Sequence, residues 1–218
     1  MSIRSWVMTQ LRKDSRIVEG IGEHGVKVLR PNQPAAVAFC VEPDSVNPFT
    51  TKALREAVEE LPEAGMVIVT RRVVDPDVYD HVRELGVCVD TFGGFTRALW
   101  QFDDISEYVH PEEIYIQQRM AATGAVASVT RRGHRAWELE RIAGLRSLTI
   151  VSHDRYELTD DGFIEILNQY PNLDLDALVI TNPNAQGFGG RVVESAQHAG
   201  VSLYTLNDFV RKIRKPWT

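Results

Sequence analysis

Residues 66–72 have the sequence MVIVTRR, and residues 177–183 have the sequence ALVITNP. Each is a short apolar run, rich in Val and Ile, that stops at a threonine and then turns polar. Neither run shows the polar alternation of a strand with one solvated face, so both predict strands buried on both faces, as in a parallel sheet. The two stretches raise the question of whether one structural unit occurs twice in the chain.

The chain can be aligned with itself at an offset of 111 residues, which superposes Thr70 on Thr181. After a three-residue insertion the offset becomes 114, and it superposes Gly86 on Gly200, Val87 on Val201, Thr91 on Thr205, Phe95 on Phe209 and Arg97 on Arg211. Strand-like and helix-like segments follow each other in the same order in both copies. The first copy has AAVAFCVE, TTKALREAVEEL, GMVIVT, DPDVYDHVRELG, VCVDTF and FTRALW, and the second has SLTIVS, DGFIEILNQY, ALVIT, GRVVESAQHAG, VSLYTL and NDFVRKI.

This order predicts an α/β protein made of parallel-sheet strand-helix units in tandem duplication, with three strands in each unit. Asp75-Pro76-Asp77 and Thr159-Asp160-Asp161 predict helix starts, and Gly86 and Gly200 predict helix ends with positive φ. Residues 104–145 do not repeat, and QQRMAATGA and RAWELERIAGL within them predict a helical bridge. The predicted organisation is an N-terminal unit at 1–103, the bridge at 104–145 and a C-terminal unit at 146–218. Helical spacing in residues 4–20 predicts a leading helix, and GVKVLRP with AAVAFCVE predicts a hairpin.

Composition is that of a globular protein, with 218 residues, 44% hydrophobic and 25% charged residues. No apolar run is long enough for a membrane helix, and the N-terminus does not resemble a secretory signal, so a cytoplasmic location without a membrane partner is expected. Cys40 and Cys88 lie in apolar runs, which indicates buried reduced thiols and provides no metal-ligand pattern.

Charge is unevenly distributed although the net charge is −6. Residues 1–30, 119–146 and 206–218 are each rich in Lys and Arg and poor in acids. A local basic face for DNA or another nucleic acid is therefore compatible with the acidic total. Solvated helix surface is the alternative interpretation of the same stretches.

Candidate site residues follow from the rule that ligands bind outside the carboxyl ends of parallel strands. The polar residues expected there as ligand or nucleic-acid contacts are Thr70, Arg71, Arg72, Thr181, Asn182 and Asn184. Weaker candidates for catalysis are Glu42, Asp44, Asp90 and His153. The terminal Arg211, Lys212, Arg214 and Lys215 are further nucleic-acid candidates. Paired arginines suit phosphate because they donate forked hydrogen bonds.

The segments GMVIVT to FTRAL and ALVITNP to NDFVRKI resemble the C-terminal half of the Mrr-type restriction endonuclease-like fold. In that family a strand ending in threonine is followed by a helix, a short strand and a final helix. The resemblance implies a role in DNA processing or defence. It also implies a catalytic acid and a lysine two residues apart on the strand AFCVE, where Cys40 and Glu42 stand, and on its second copy, where the offset of 111 puts Val151 and His153. Neither copy keeps the lysine, so the resemblance implies a protein that is not an active nuclease.

Three functions are consistent with these observations. The first is a nucleic-acid-binding protein of endonuclease-like ancestry that does not cleave. The second is an atypical metal-dependent nuclease, the only case in which Mg²⁺ is expected and in which Glu42, Asp44 or Asp90 holds it. The third is a Rossmann-like sensor of a nucleotide or other small ligand. A homo-oligomer is compatible with each of them.

Overall fold

The N-terminal half of the chain folds around a five-stranded sheet. In a computed structural model, which describes residues 1–217, the helices of this half are α1 (Ile3–Lys13), α2 (Thr51–Glu60), α3 (Val78–His81) and α4 (Phe92–Gln101), with a 3₁₀ turn at Ile105–Glu107. Its strands are β1 (Ile17–Ile21), β2 (Gly25–Leu29), β3 (Ala36–Val41), β4 (Asp44–Phe49), β5 (Met66–Val69), β6 (Arg72–Val74) and β7 (Cys88–Asp90). The main sheet has the order β1-β2-β3-β5-β7, and β4 and β6 form a separate parallel pair.

The C-terminal half has a second five-stranded sheet. Its helices are α5 (Pro111–Ala121), α6 (Asp160–Gln169), α7 (Gly190–Ala199) and α8 (Leu206–Lys212). Its strands are β8 (Val126–Arg131), β9 (Ala136–Arg141), β10 (Leu148–His153), β11 (Ala177–Ile180) and β12 (Ser202–Thr205), in the order β12-β11-β10-β9-β8. The chain divides into two compact units, Met1–His110 and the residues from Pro111 onward, which are called the N-terminal and the C-terminal unit below.

Strand directions follow one scheme in both sheets. In the N-terminal unit β1, β2 and β3 are antiparallel neighbours, whereas β3, β5 and β7 pair in parallel. In the C-terminal unit β8, β9 and β10 are antiparallel and β10, β11 and β12 are parallel. The α/β class, the parallel strands and the hairpin of β2 with β3 are thus confirmed.

The predicted number of strands and the predicted bridge are wrong. Each unit has five strands in its main sheet, because two antiparallel strands precede the three predicted for the unit, and of these preceding strands only β2 was predicted, as half of the hairpin. Residues 104–145 contain the end of the N-terminal unit, then α5, β8 and β9. The stretch RAWELERIAGL is a strand and a turn, since Trp137 and Leu139 are fully buried while Glu138 and Glu140 lie outside, an alternation with period two. The leading helix ends at Lys13, and Ile17 and Val18 belong to β1.

Apolar side chains cover both faces of each sheet. In the N-terminal unit one face packs under α1 and α4 and includes Val7, Cys40 and Phe95, all with no exposed area. The other face packs under α2 and includes Leu54 and Val67. The C-terminal unit repeats this arrangement, with α5 and α8 on one face and α6 and α7 on the other.

Threonine hydroxyls begin four of the helices. The side chains of Thr50, Thr91, Thr159 and Thr205 accept a hydrogen bond from the backbone N–H three residues later, at the starts of α2, α4, α6 and α8. This satisfies one of the N–H groups that a helix start leaves without a partner. The Asp75-Pro76-Asp77 stretch leads only to the single-turn α3, where Asp77 makes no capping hydrogen bond. Gly200 ends α7 with φ of +71°, as predicted, whereas Gly86, with φ of +66°, lies in the turn between α3 and β7 and not at the end of a helix.

A glycine in the turn between β8 and β9 allows a close contact. A Cβ added at Gly133 would lie 2.5 Å from Cε1 of Tyr170 and 3.0 Å from Cβ of Ala136. We expect Gly133→Ala to lower the free energy of unfolding by about 1–3 kcal/mol, because the buried Tyr170 ring must move. Denaturant titration of the variant checks this result. Gly190→Ala is the matched control, since a Cβ there meets no atom within 4 Å, and equal stability of the two variants would contradict the contact.

Candidate functional site

The acids that follow β3 are held by local hydrogen bonds. Glu42 is exposed, and both of its carboxylate oxygens accept from the backbone N–H of Ile3, at 3.0 and 3.2 Å. This contact ties the end of β3 to the first residue of α1. A carboxylate at this place also complements the positive end of the helix dipole.

Asp44 stabilises the turn that begins β4. Its Oδ1 accepts from the backbone N–H groups of Val46 and Asn47 at 2.8 and 2.9 Å, and its Oδ2 accepts from the Asn47 amide at 3.0 Å. The hydrogen bonds from Asn47 and then from Val46 lower the pKa of Asp44 to about 2. The arrangement is that of a rigid Asx turn.

The two predicted phosphate-binding arginines of the N-terminal unit differ in their surroundings. Arg71 is exposed and has φ of +54°. Arg72 is half-buried and donates to the carbonyl oxygens of Asn47 and Pro48 at 2.9 and 3.2 Å, so it links β6 to β4. Of this pair, Arg71 is the one whose side chain is exposed for a ligand. Thr70, just before it, has a buried hydroxyl with no hydrogen-bond partner.

Asp90 lies at the end of β7 and is only 3% exposed. Its Oδ1 accepts from the backbone N–H of Thr91 at 2.7 Å and from the Thr91 hydroxyl at 3.2 Å. A Cβ at Gly94 would lie 2.5 Å from the Asp90 carboxyl carbon, so α4 approaches this acid closely. Asp90 is therefore enclosed by the first turn of α4.

In the C-terminal unit a cluster of charged residues lies where α5 begins and β10 ends. Glu112, whose side chain is 8% exposed, pairs with Arg135 at 3.2 Å. Arg135 also pairs with Asp154, with 2.9 Å between Nη2 and Oδ2. The Thr181 hydroxyl donates to Oε1 of Glu112 at 3.2 Å. We call Glu112, Arg135, Asp154 and Thr181 the edge cluster.

Electrostatics fixes the charges of the edge cluster. Burial alone would lower the pKa of Arg135, but the hydrogen bond with Asp154 and the charge of Glu112 raise it. The hydrogen bond from Arg135 in turn lowers the pKa of Asp154. Arg135 is thus a permanent cation between two carboxylates at neutral pH. Adjacent to it, burial lowers the pKa of His153, whose Nε2 lies 3.3 Å from the carbonyl oxygen of Glu157.

Strand register corrects the predicted equivalence of the motif positions. Cys40 pairs with Ile68 in β5, and Ser152 pairs with Val179 in β11, which is 111 residues further along. The counterpart of Cys40 is therefore Ser152, not Val151, and the counterpart of Glu42 is Asp154, not His153. The offset between β3 and β10 is therefore 112. It differs from 111 because the segment from Ser152 to Val179 is one residue shorter than the segment from Cys40 to Ile68.

At the first of the two positions where the resemblance implies a catalytic motif, neither unit has an acid. Cys40 is fully buried, and burial raises the pKa of its thiol to about 12. Ser152 is 1% exposed, and its hydroxyl accepts from Nε1 of Trp137 at 2.9 Å. The second position is an acid in both units, Glu42 and Asp154, and each is held by a donor of its own unit.

The remaining predicted residues occupy two places. Asn182 is half-buried and accepts from the backbone N–H of Asn184 at 2.9 Å, which forms a local turn after β11. The terminal basic residues lie on α8 and in the tail after it. Arg211 is exposed and pairs with Asp208 at 3.5 Å, and Lys215 is exposed.

A neighbouring arginine extends the terminal basic residues across two helices. Arg119 of α5 donates to the Asn207 side chain at the start of α8, at 3.4 Å. Arg214 donates to the carbonyl oxygen of Thr123, just after α5. We call Arg119, Arg211, Arg214 and Lys215 the basic face. The sequence did not predict that Arg119 lies beside α8, because this proximity depends on the packing of α5.

Two buried arginines, also missed by the sequence analysis, hold the last helix of each unit. Arg30 donates to the carbonyl oxygens of Phe102 and Asp103 at 2.7 and 2.6 Å. Arg141 donates to those of Ile213 and Lys215 at 3.1 and 2.8 Å. They are separated by 111 residues, the spacing of Thr70 and Thr181, so this self-alignment contained a signal for them.

The chain has no match among protein-family models, curated proteins or solved structures. Within residues 1–217 no three His, Cys, Asp or Glu side chains form a group suited to a metal ion. The same residues contain no helix that is both long and apolar enough to cross a membrane. The fold is that of a mixed α/β protein with two similarly connected sheets.

Proposed function

We propose that this chain is a tandem duplication of a restriction endonuclease-like unit and that it binds nucleic acid without cleaving it. The duplication is supported by the shared order and direction of the strands in the two sheets. It is also supported by residues with the same role in both units. Thr91 begins α4 and Thr205 begins α8, the last helix of each unit. Four residues after each threonine, Phe95 and Phe209 are fully buried.

One observation carries the proposal that cleavage is absent. In the C-terminal unit the Arg135 guanidinium lies between the carboxylates of Glu112 and Asp154, at the end of the strand where the resemblance implies a catalytic site. A metal-dependent nuclease needs its carboxylates for a cation that activates water and stabilises the phosphate charge. Here an internal cation pairs with both of them. The matching acid of the N-terminal unit, Glu42, is bound to the start of α1.

Nucleic-acid binding is supported by the basic face. Arg119, Arg211, Arg214 and Lys215 lie on two adjacent segments, and the acid close to them, Asp208, is shared between Arg211 and the Thr205 hydroxyl. Phosphate groups are bound by such clusters through release of counterions, which does not require a positive net charge of the whole chain. The exposed Arg71 offers a separate contact in the N-terminal unit.

A double substitution tests the basic face. We expect Arg211→Ala with Lys215→Ala to weaken DNA binding by about tenfold or more and to reduce the salt slope by about 1–2, because each of the two side chains neutralises about one phosphate. Both side chains are exposed, and the backbone carbonyl of Lys215 that binds Arg141 is kept. Fluorescence anisotropy with labelled duplex across a salt series measures both quantities.

The control for this test is Lys52→Ala with Arg55→Ala on α2, which removes the same charge from another exposed helix. It should change neither the affinity nor the salt slope. Equal weakening by both double variants would indicate a nonspecific charge effect, and an unchanged affinity in the first would contradict the assignment of the basic face.

A further inference from the structure

A cavity of about 430 Å³ lies in the C-terminal unit at the amino end of β10, away from the edge cluster. Its lining residues are Thr123, Gly124, Ala125, Ile142, Ala143, Leu145 and Arg214. The volume is in the range of about 300–1,000 Å³ that small-molecule sites occupy. Most of the wall is apolar, and Arg214 is the charged residue among those that line it.

A single turn shapes much of the apolar wall. Ala143 and Gly144, with φ of +61° and +70°, form the turn between β9 and β10, which is closed by a hydrogen bond from Leu145 N to Ile142 O at 3.3 Å. Ile142 remains 45% exposed beside this turn. A left-handed alanine costs about 1 kcal/mol, so the position of the turn is fixed by the surrounding structure.

Arg214 is held in place by a dedicated set of hydrogen bonds. Arg141, only 5% exposed, donates to the carbonyl oxygens on either side of it, those of Ile213 and Lys215. The Arg214 guanidinium itself donates to the carbonyl oxygen of Thr123. A guanidinium has five N–H donors, so this anchoring leaves donors for an anion.

The charges near the cavity also favour an anion. Arg141 and Lys215 are the sequence neighbours of the lining residues Ile142 and Arg214, while Arg146, further along the hairpin, is paired with Asp176 at 2.6 Å. The cavity also adjoins the carboxyl end of α5, whose dipole alone would repel an anion. Arg214 offsets that dipole because its guanidinium binds the Thr123 carbonyl.

The corresponding place in the N-terminal unit has a different side chain. The offset of 114 puts Trp100 where Arg214 stands, and the Arg16 guanidinium lies 4.0 Å from the centre of the Trp100 ring. Arg30 holds the end of α4 there, as Arg141 holds the end of α8. The two units thus share the buried arginine that holds the last helix but differ at the position of Arg214.

We propose that this cavity binds a single nucleotide, with the base against Ile142, Ala143 and Leu145 and the phosphate on Arg214. A nucleobase has two flat faces that suit an apolar wall, and a phosphate accepts forked hydrogen bonds from arginine. The bound nucleotide can come from two sources. One is the phosphorylated end of a bound nucleic-acid strand, and for this source the inference rests on the proposed function. A free mononucleotide is the other source and does not depend on that function.

The test compares a 5′-phosphorylated oligonucleotide, the same oligonucleotide with a 5′-hydroxyl, adenosine 5′-monophosphate and inorganic phosphate. The proteins are the wild type, Arg214→Gln, Arg214→Lys and the control Arg211→Ala, with folding checked by circular dichroism. Glutamine still has a donor for the Thr123 carbonyl but no charge, and lysine keeps the charge. We expect the 5′-phosphate to improve wild-type affinity about tenfold, Arg214→Gln to abolish this preference and Arg214→Lys to keep only part of it, because lysine lacks the forked donors.

Arg211→Ala should weaken both oligonucleotides equally and leave the preference for the phosphorylated end unchanged. Binding of adenosine monophosphate that Arg214→Gln abolishes, without binding of either oligonucleotide, would support the cavity with a free nucleotide and overturn the proposed function. Binding of both oligonucleotides without preference, and no binding of adenosine monophosphate, would overturn the inference and leave the proposed function standing. Binding of inorganic phosphate as tight as that of the nucleotide would overturn the role of the apolar wall.

Discussion

Replacing Arg30 or Arg141 by methionine is expected to lower the free energy of unfolding by about 3 kcal/mol or more. Arg30 donates to four backbone carbonyl oxygens, those of Pro34, Leu99, Phe102 and Asp103. Arg141 donates to three, those of Arg146, Ile213 and Lys215. Hydrogen bonds to a charged donor contribute about 1.5–3 kcal/mol each, and methionine leaves several carbonyls without a donor.

Hydrogen–deuterium exchange localises the effect. Arg30→Met should lose protection in α4, and Arg141→Met should lose it in α8, because each arginine holds the end of that helix. Arg12→Met on the exposed face of α1 is the control and should change stability by less than about 0.5 kcal/mol. A change of that small size for Arg30 or Arg141 would contradict their shared structural role.

Removing Arg135 is the second substitution with a large expected effect. Arg135→Ala removes the cation that pairs with the buried Glu112 carboxylate and with Asp154, and breaking a buried pair of this kind costs about 3 kcal/mol or more. Denaturant unfolding at pH 7 measures it. The control is Arg132→Ala, which removes a pair with Glu138, an acid more exposed than Glu112, and should cost at most about 1 kcal/mol.

The stability difference between the wild type and Arg135→Ala depends on pH in a defined direction. The pKa of Asp154 is lowered in the folded protein, mainly by Arg135. The stabilisation is therefore fully present above the unfolded pKa of about 3.9 and is lost as the pH falls through the lower folded value. The difference in the free energy of unfolding between the wild type and Arg135→Ala should therefore become smaller below about pH 4.

A second substitution identifies the cause of the destabilisation. If the cost comes from the buried Glu112 carboxylate having lost its pairing with Arg135, adding Glu112→Gln to Arg135→Ala should restore part of the lost stability. A double variant that is as unstable as the sum of both single variants would show that lost packing, not charge, is responsible.

The parallel strands were predictable because burial on both faces leaves continuous apolar runs, as in β5 and β11. β9 was mistaken for a helix because Ala, Glu, Leu and Arg all have high helix propensity. Its tertiary position overrides that propensity, since Trp137 and Leu139 fill the core while Glu138 and Glu140 face outward. The period of two was present in the sequence as a competing signal.

The candidate site was less predictable than the sheets. The strand-end rule pointed to His153 and Thr181, which do lie together, but not to Glu112 and Arg135. These two residues come from α5 and the start of β9, and no local spacing links them. The register of β3 and β10 depends on loop lengths, which is why the equivalence of Glu42 with Asp154 emerged only from strand pairing.

Binding of nucleic acid without cleavage can be tested in one assay of the wild-type protein. Labelled single- and double-stranded DNA and RNA are titrated across a salt series with Mg²⁺ and Mn²⁺ present, and cleavage is scored in the same samples. We expect salt-dependent binding and intact nucleic acid. Cleavage that requires the metal would contradict the claim that Arg135 and the Ile3 N–H have replaced a catalytic cation, and absence of binding at low salt would contradict the nucleic-acid function itself.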